Sequence, residues 1–337
     1  MGKQVKRMDY LDLLRVLALG SVILFHYFFN GISKGHVTSV SLTPFASIAK
    51  YGYLGVELFF LISGFVIIYS TQNRSVWQFI KRRFLRLYPM YWLALLTIFA
   101  IARLPIWDKK GPSIRKLILN FTMIPTAFGG RWVDEAHWFL LRELQFYLVI
   151  IFVMAVGLGK RIPQIFPWWA IIICIWNLLN LPRFEVWYFS GYFALMAGGA
   201  IIFLIREWGI TKIRVIGLLA AYICSMDTRM SKAAWLGEHR SSSYNKYVIG
   251  VIVTVAFLLI LATLSSKISE INFKWAGVAG AVTYPLFLIH GRLGLLAIQD
   301  LANNSNKFFV YPMVIIVLIG IAYGLLKLEK KLTSARF

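Results

Sequence analysis

The chain has 337 residues, of which 59% are hydrophobic and only 15% are charged. A soluble domain is about half apolar and a quarter charged, so an ordinary water-soluble protein is excluded. The formal net charge is +22. The basic residues lie between apolar blocks, which favours a membrane surface or an anionic substrate as the partner, and not a nucleic acid.

The apolar residues form blocks of roughly 16–23 residues, the length of a helix that crosses a bilayer. We therefore predict an all-α, polytopic membrane bundle with a single transmembrane domain over 1–337, since backbone groups in lipid must be paired internally and no segment alternates like a barrel strand. About ten spans are predicted: 11–29, 52–70, 87–102, 138–158, 163–180, 188–205, 215–226, 247–264, 275–297 and 309–326.

The distribution of Lys and Arg predicts the orientation of these spans. With a cytoplasmic N-terminus, the inner segments carry about twice the density of basic residues of the outer ones. Both termini are then cytoplasmic, and 227–246 is an outer loop. The longest loop, 103–137, has an amphipathic middle that is expected to lie at the outer surface or to dip into the protein.

Ionisable residues inside the predicted spans are candidates for function, because charge in lipid is costly. The alternative is that some of them only pair helices or reach to the interface. The spans contain Asp12, Arg15, His26, Glu57, Arg142, Glu143, His290 and Arg292.

His26 is the candidate general base. Arg15 lies eleven residues earlier, which is about 20° beyond three helical turns, so the two share a face about 16 Å apart. Asp12 is expected to pair with Arg15. His26 is expected near the outer leaflet at a depth similar to that of Glu57, Glu143 and His290, and one of the two carboxylates would orient its ring. Polar packing is the alternative for His290.

A basic cluster precedes the third predicted span. Arg82, Arg83 and Arg86 lie before Pro89 and Tyr91. Arginine suits bidentate contacts with phosphate, which predicts a phosphate-bearing cosubstrate at the cytoplasmic face. The alternative is a topology determinant that binds anionic lipid headgroups.

Other kinds of site lack support in the sequence. No metal-binding or P-loop motif is present, and Cys174 and Cys224 are expected to pack as small hydrophobes. Ser63 is a candidate nucleophile by position alone, and a Ser–Gly pair in a membrane helix is more often a close-packing pair.

Five motifs in this order resemble those of the membrane-bound acyltransferase-3 family. Arg15 and His26 are similar to its Arg-x10-His signature. The others are "GVELFFLISGF" (55–65), "RRFLRLYPMYW" (82–92), "WFLLRELQFYLV" (138–149), which holds Trp138, Glu143 and Tyr147, and "TYPLFLIHG" (283–291). Phe139 departs from the Ser or Thr of many relatives. The chain is expected to be of the stand-alone type, without a fused extracytoplasmic domain.

The resemblance implies transfer of an acyl group, most often acetyl, from cytoplasmic acyl-CoA to a sugar hydroxyl of a surface polysaccharide, lipopolysaccharide or lipid-linked sugar, in the inner membrane of a bacterium. His26, Glu143 and Arg15 would be the catalytic residues. The donor would be bound by Arg82, Arg83, Arg86, Tyr91 and Ser63. Supporting or acceptor-binding residues would be Glu57, His290, Trp138 and Tyr147.

Three alternatives remain open from the sequence. A transporter or flippase of a lipid-linked sugar would also use buried charges and a basic inner mouth. An O-acyltransferase that acts on a small hydrophobic acceptor, such as a macrolide, would share the same motifs. Transfer could also proceed through an acyl-enzyme on His26 or Ser63.

Overall fold

The structure is a computed structural model that describes residues 7–72, 74–107, 111–181, 189–240 and 242–334. Residue 188 of the sixth predicted span and residues 108–110 of the predicted loop 103–137 lie outside the described residues. Within these ranges, eleven helices have eight residues or more: α1 (Asp9–Phe25), α2 (Gly55–Tyr69), α3 (Val76–Ile101), α4 (Ile114–Phe121), α5 (Trp138–Ala155), α6 (Ile162–Leu178), α7 (Gly191–Trp208), α8 (Lys212–Arg240), α9 (Lys246–Leu261), α10 (Ala276–Leu301) and α11 (Lys307–Ser334).

The architecture confirms the predicted helical membrane bundle. No strand occurs in the described parts of the chain, and eight of its helices are long and apolar enough to cross a membrane. The remaining two predicted spans correspond to α6, which has 17 residues, and to α8, which is longer but more polar. The orientation of the termini stays a prediction.

Two boundaries were predicted wrongly. The loop expected at 227–246 is helical as far as Arg240, because Arg229 is buried and has a carboxylate partner inside the protein. The basic cluster lies inside α3, which begins at Val76 and not near residue 87. A reciprocal pair of hydrogen bonds between Ser75 and Gln78 caps this start, as in a capping box.

Residue contacts divide the chain into two compact units. Unit 1 comprises 1–18, 54–80 and 142–277, and unit 2 comprises 19–53, 81–141 and 278–337. In unit 1, α2 and α7 approach closely through glycines: a Cβ on Gly64 would meet the backbone oxygen of Met196, and one on Gly199 would meet that of Leu61. Small residues of this kind allow the backbones of membrane helices to touch.

In unit 2, the amphipathic helix α4 packs against α3. Its start is capped by Ser113, whose hydroxyl accepts from the backbone N–H of Lys116. At its other end, Trp92 donates to the carbonyl of Phe121 at 3.0 Å, and the Tyr88 hydroxyl donates to that of Thr122 at 3.3 Å. The amphipathic middle of the predicted loop 103–137 is thus a helix held on the protein.

Candidate functional site

His26 begins a distortion in the first membrane helix. The α-helical pattern runs from Asp9 to Phe25 and is followed by a π-helical turn, His26–Asn30, in which the N–H of Gly31 bonds to the carbonyl of His26. Such turns are rare and are often found at functional sites. Nδ1 of His26 lies 3.3 Å from the side-chain amide of Asn30, so this amide fixes the plane of the ring.

His26 faces a cavity of about 580 Å³ that is formed entirely by residues of unit 2. The cavity combines aromatic, cationic and acidic side chains, which is the mixture expected of a site for a polar ligand. The side chains used below are His26, Lys116, Arg131, Trp132, Asp134, Trp138 and Arg292.

His290 lies beside His26, with 5.3 Å between the ring centroids. Its Nδ1 is 2.7 Å from the carbonyl oxygen of Phe287. A carbonyl only accepts hydrogen bonds, so Nδ1 carries the proton and the neutral ring keeps a lone pair on Nε2. That nitrogen is buried and has no hydrogen-bond partner among the described residues.

Asp134 and His137 bind to the backbone of α10 next to His290. Asp134 accepts from the N–H of Arg292 at 2.5 Å, and Nε2 of His137 donates to the carbonyl of Leu288 at 2.8 Å. Residues 288 and 292 are the pair that one hydrogen bond of an α-helix would join. Asp134 can approach because residue 291 is glycine: a Cβ there would collide with the carboxylate.

His137 is oriented in the same manner as His290. Because Nε2 donates to a carbonyl, Nδ1 holds the lone pair, and it is buried without a partner in the described part of the chain. The ring of Tyr91 contacts it edge-on at 5.2 Å, and the Tyr91 hydroxyl is likewise buried with no partner in the residues described. Buried polar groups are nearly always hydrogen-bonded, so these atoms are suited to bind a substrate.

Residues 8–327 match the acyltransferase-3 family, which is described as an acyltransferase domain. The chain belongs to this family. The match confirms the resemblance inferred from the five motifs. Membership implies an acyl donor as cosubstrate. No solved structure matches the chain.

Three curated proteins share part of the sequence of this chain. Acyltransferase MdmB of Streptomyces mycarofaciens is 32% identical over 40% of this chain and 37% of its own length. Exopolysaccharide production protein ExoZ of Rhizobium meliloti is 29% identical over 34% of this chain and 38% of its own. ORF330 of Acidianus two-tailed virus, named provisionally as an acetyltransferase, is 24% identical over 76% and 77%. The chain thus spans little more than a third of MdmB and of ExoZ.

The basic motif in α3 has two faces. Arg82 and Arg86 are exposed and lie one helical turn apart on α3, whereas Arg83 is buried. Side chains four residues apart on a helix are neighbours, so Arg82 and Arg86 can bind the same anion. Tyr91 lies further along α3 with its ring on His137, and is thus part of the surroundings of the histidines.

Two carboxylates predicted in unit 1, Glu57 and Asp12, form ion pairs. Glu57 accepts from Arg229 at 3.0 Å, and both side chains are at most 3% exposed. The guanidinium of Arg229 also lies 4.4 Å from the ring centroid of Tyr192. Asp12 pairs with Arg15 at 2.5 Å, as predicted, and with Arg7 at 2.6 Å.

The other predicted residues occupy several environments. Glu143 is buried and accepts a 2.5 Å hydrogen bond from Tyr147, one helical turn away. Ser63 is half-buried next to the close-packed Gly64. Trp138 lines the cavity of His26. Because Glu57 and Glu143 belong to unit 1, their roles toward His26 stay predictions.

Sequence reasoning missed Asn30, Lys116, Asp134 and His137. Asp134 and His137 lie three residues apart directly before Trp138, at the start of a motif that was recognised, and this was the available signal. Among the described residues, no group of three His, Cys, Asp or Glu side chains could hold a metal ion.

Proposed function

We propose that this protein is an integral membrane O-acyltransferase. It transfers an acyl group, most often acetyl, from acyl-CoA to a hydroxyl of a surface polysaccharide, lipopolysaccharide or lipid-linked sugar. We propose that it spans the cytoplasmic membrane of a bacterium. The observation that carries the proposal is the position of His26, which lies on a π-helical turn and faces a cavity of about 580 Å³. Its spacing from Arg15 resembles the Arg-x10-His signature of the family.

His26 acts as the general base. The side-chain nitrogen of Asn30 lies 3.3 Å from Nδ1 of His26. Rotation of this amide by half a turn brings its oxygen to the Nδ1 proton, and Nε2 then presents a lone pair to a bound hydroxyl. The hydroxyl oxygen attacks the thioester carbonyl while His26 takes its proton. The C–S bond then breaks, and His26 returns the proton to the departing sulfur, so the products are the O-acyl ester and CoA with a free thiol.

His290 supports this step from 5.3 Å away. Nδ1 of His290 donates its proton to the carbonyl of Phe287, so Nε2 can accept a hydrogen bond but cannot donate one. This nitrogen can accept a hydrogen bond from a substrate hydroxyl, or from the imidazolium that forms on His26 during transfer. The Tyr91 hydroxyl is the buried donor near His137 that can bind the oxygen of the thioester carbonyl.

The donor is proposed to bind through Arg82 and Arg86. Their exposure on one face of α3 suits the phosphates of CoA. The buried Arg83 lies beside them on α3 and would contribute to the same site. The role of Arg15 stays a prediction. The acceptor class rests on the name of ExoZ, an exopolysaccharide production protein.

Transfer of label tests the function. Membranes with and without the protein are incubated with acetyl-CoA that carries a radiolabelled acetyl group, and label is measured in the polysaccharide and lipid-linked fractions. We expect label in an ester that mild alkali releases, only with the protein present. Movement of a lipid-linked sugar across the membrane without labelling would instead identify a transporter, and label in organic-soluble small molecules would identify a hydrophobic acceptor.

A further inference from the structure

The cavity of His26 contains more positive charge than the proposed acyl transfer requires. Lys116, Arg131 and Arg292 all line it. A neutral sugar hydroxyl and a thioester need no cation for recognition, so these three side chains call for a separate explanation.

The two carboxylates of the cavity have close partners other than Lys116 and Arg131. One oxygen of Asp134 accepts from the N–H of Ala136 and the other from that of Arg292. Glu135 is paired with Lys34 at 2.5 Å and lies 3.4 Å from His36. Neither Lys116 nor Arg131 forms an ion pair in the part of the chain that the structure describes.

Lys116 is held in an unfavourable environment for a cation. Its side chain is half-buried on α4, and burial together with the neighbouring Arg292 lowers the pKa of its ammonium group. Removing a charge from water and placing it near a like charge both cost free energy. An anion bound between these side chains would offset both effects.

Two tryptophans line the same cavity. Trp132 and Trp138 are both half-buried, so part of each side chain is accessible from the cavity. Aromatic rings offer flat apolar contact at low conformational cost, which suits the apolar face of a sugar ring. Arg82 and Arg86, proposed above for the donor phosphates, do not line this cavity.

We propose that the acceptor is an acidic sugar, and that Lys116, Arg131 and Arg292 bind its anionic group while Trp132 and Trp138 pack on its ring near His26. The anionic group is a carboxylate or a phosphate. The inference rests on the proposed function, because the ligand is taken to be the acceptor of the acyl group. It adds a class of acceptor that the family assignment does not supply.

The test compares acceptors that differ only in charge. The purified full-length protein in nanodiscs is given labelled acetyl-CoA and either a hexuronate-containing oligosaccharide or the same oligosaccharide after reduction of its carboxylates to alcohols. A sugar phosphate forms the third arm and separates phosphate from carboxylate recognition. We expect kcat/KM to be at least about tenfold higher for one acidic acceptor than for the neutral one, as for one charge-assisted hydrogen bond.

Variants identify the residues responsible. Lys116→Met and Arg131→Met should each reduce the acidic preference about tenfold, through the KM of the acceptor and with no change in that of acetyl-CoA. Lys116→Arg should retain most of it. Arg115→Met is the matched control, since Arg115 is exposed on the same helix and does not line the cavity.

Three results would overturn the proposal: equal use of acidic and neutral acceptors, the same loss with Arg115→Met, or a change confined to the KM of acetyl-CoA. The last would mean that the cations bind the donor. If no acceptor is labelled, the acyltransferase function itself has failed. Quenching of tryptophan fluorescence by the acidic but not the neutral sugar, lost in Lys116→Met, would still support the anion site, and equal quenching would reject it.

Discussion

The two units treat their buried polar groups differently. In unit 1, two buried carboxylates face cations: Glu57 pairs with Arg229, and Asp12 pairs with Arg15. The third, Glu143, accepts from the hydroxyl of Tyr147. In unit 2, His26 lines a cavity, and the rings of His290 and His137 donate to backbone carbonyls, so the second ring nitrogen of each is buried without a partner among the described residues. Matched charges serve to hold helices together, whereas oriented and unmatched groups are poised to bind and react.

Replacement of His26 in unit 2 should give the largest loss of activity without loss of stability. His26→Ala removes the proposed base, and general-base catalysis contributes about 10²–10⁴-fold in rate. We expect transfer from labelled acetyl-CoA to fall by that factor, with an unchanged melting temperature in detergent. His36→Ala, which removes a more exposed imidazole at the same cavity, should cost less than about tenfold. Full transfer by His26→Ala would rule out the mechanism.

Disruption of the buried Glu57–Arg229 pair in unit 1 should instead reduce stability. Glu57→Gln leaves the charge of Arg229 buried without its counter-charge, which costs about 3–5 kcal/mol. We expect a large drop in the free energy of unfolding, measured by denaturant titration in detergent.

The double variant tests whether the pair is structural. Glu57→Met combined with Arg229→Met removes both charges and should recover most of the lost stability. If the double variant is stable but inactive, Glu57 takes part in catalysis, and the contrast between the units is weaker than the structure indicates.

Gly291→Ala probes the contact between Asp134 and α10. The added methyl group would meet the carboxylate, and overpacking of this kind costs about 1–3 kcal/mol. Because the contact lies next to His290, we expect kcat to fall about tenfold or more, with protein that still folds. Gly320→Ala on α11, where a Cβ has open space, is the control. Equal activity of the two variants would show that Asp134 does not position the site.

Substitutions of the arginines in the basic motif should have the smallest effects on activity. Arg82→Ala and Arg86→Ala should each raise the KM for acyl-CoA about tenfold, because each removes one charge-assisted hydrogen bond to phosphate. Arg83→Ala should instead lower the melting temperature, since Arg83 is buried. The measurement is donor titration at fixed acceptor. Unchanged donor KM with altered membrane orientation would favour the topology role.

The membrane helices could be predicted because long apolar stretches show directly in the sequence. The ends of a helix could not be predicted where a residue far along the chain stabilises them. Arg229 lies in the predicted loop 227–246 because a charged residue is costly in lipid, but its ion pair with Glu57 allows it to be buried in a helix. The start of α3 is set by a local signal, the Ser75–Gln78 box, which was overlooked beneath the basic cluster.

The candidate site divides in the same manner. His26, Trp138 and His290 could be found because they lie in spans or motifs. Asp134 and His137 could not be assigned, because their function comes from contacts with Arg292 and Leu288, more than a hundred residues away. Asn30 contacts the ring of His26 within the π-helical turn, and residue propensities do not predict such a turn.

The π-helical turn also affects how this helix compares with others. A π-turn holds one residue more than the α-turn it replaces, and here it begins at His26. The spacing from Arg15 to His26 therefore runs along regular α-helix, while every residue from Tyr27 onward is displaced in register. An alignment with an ordinary α-helix should open a one-residue gap directly after the histidine. Deletion of one residue between 27 and 30 would remove the turn and rotate Asn30 away from the ring it contacts.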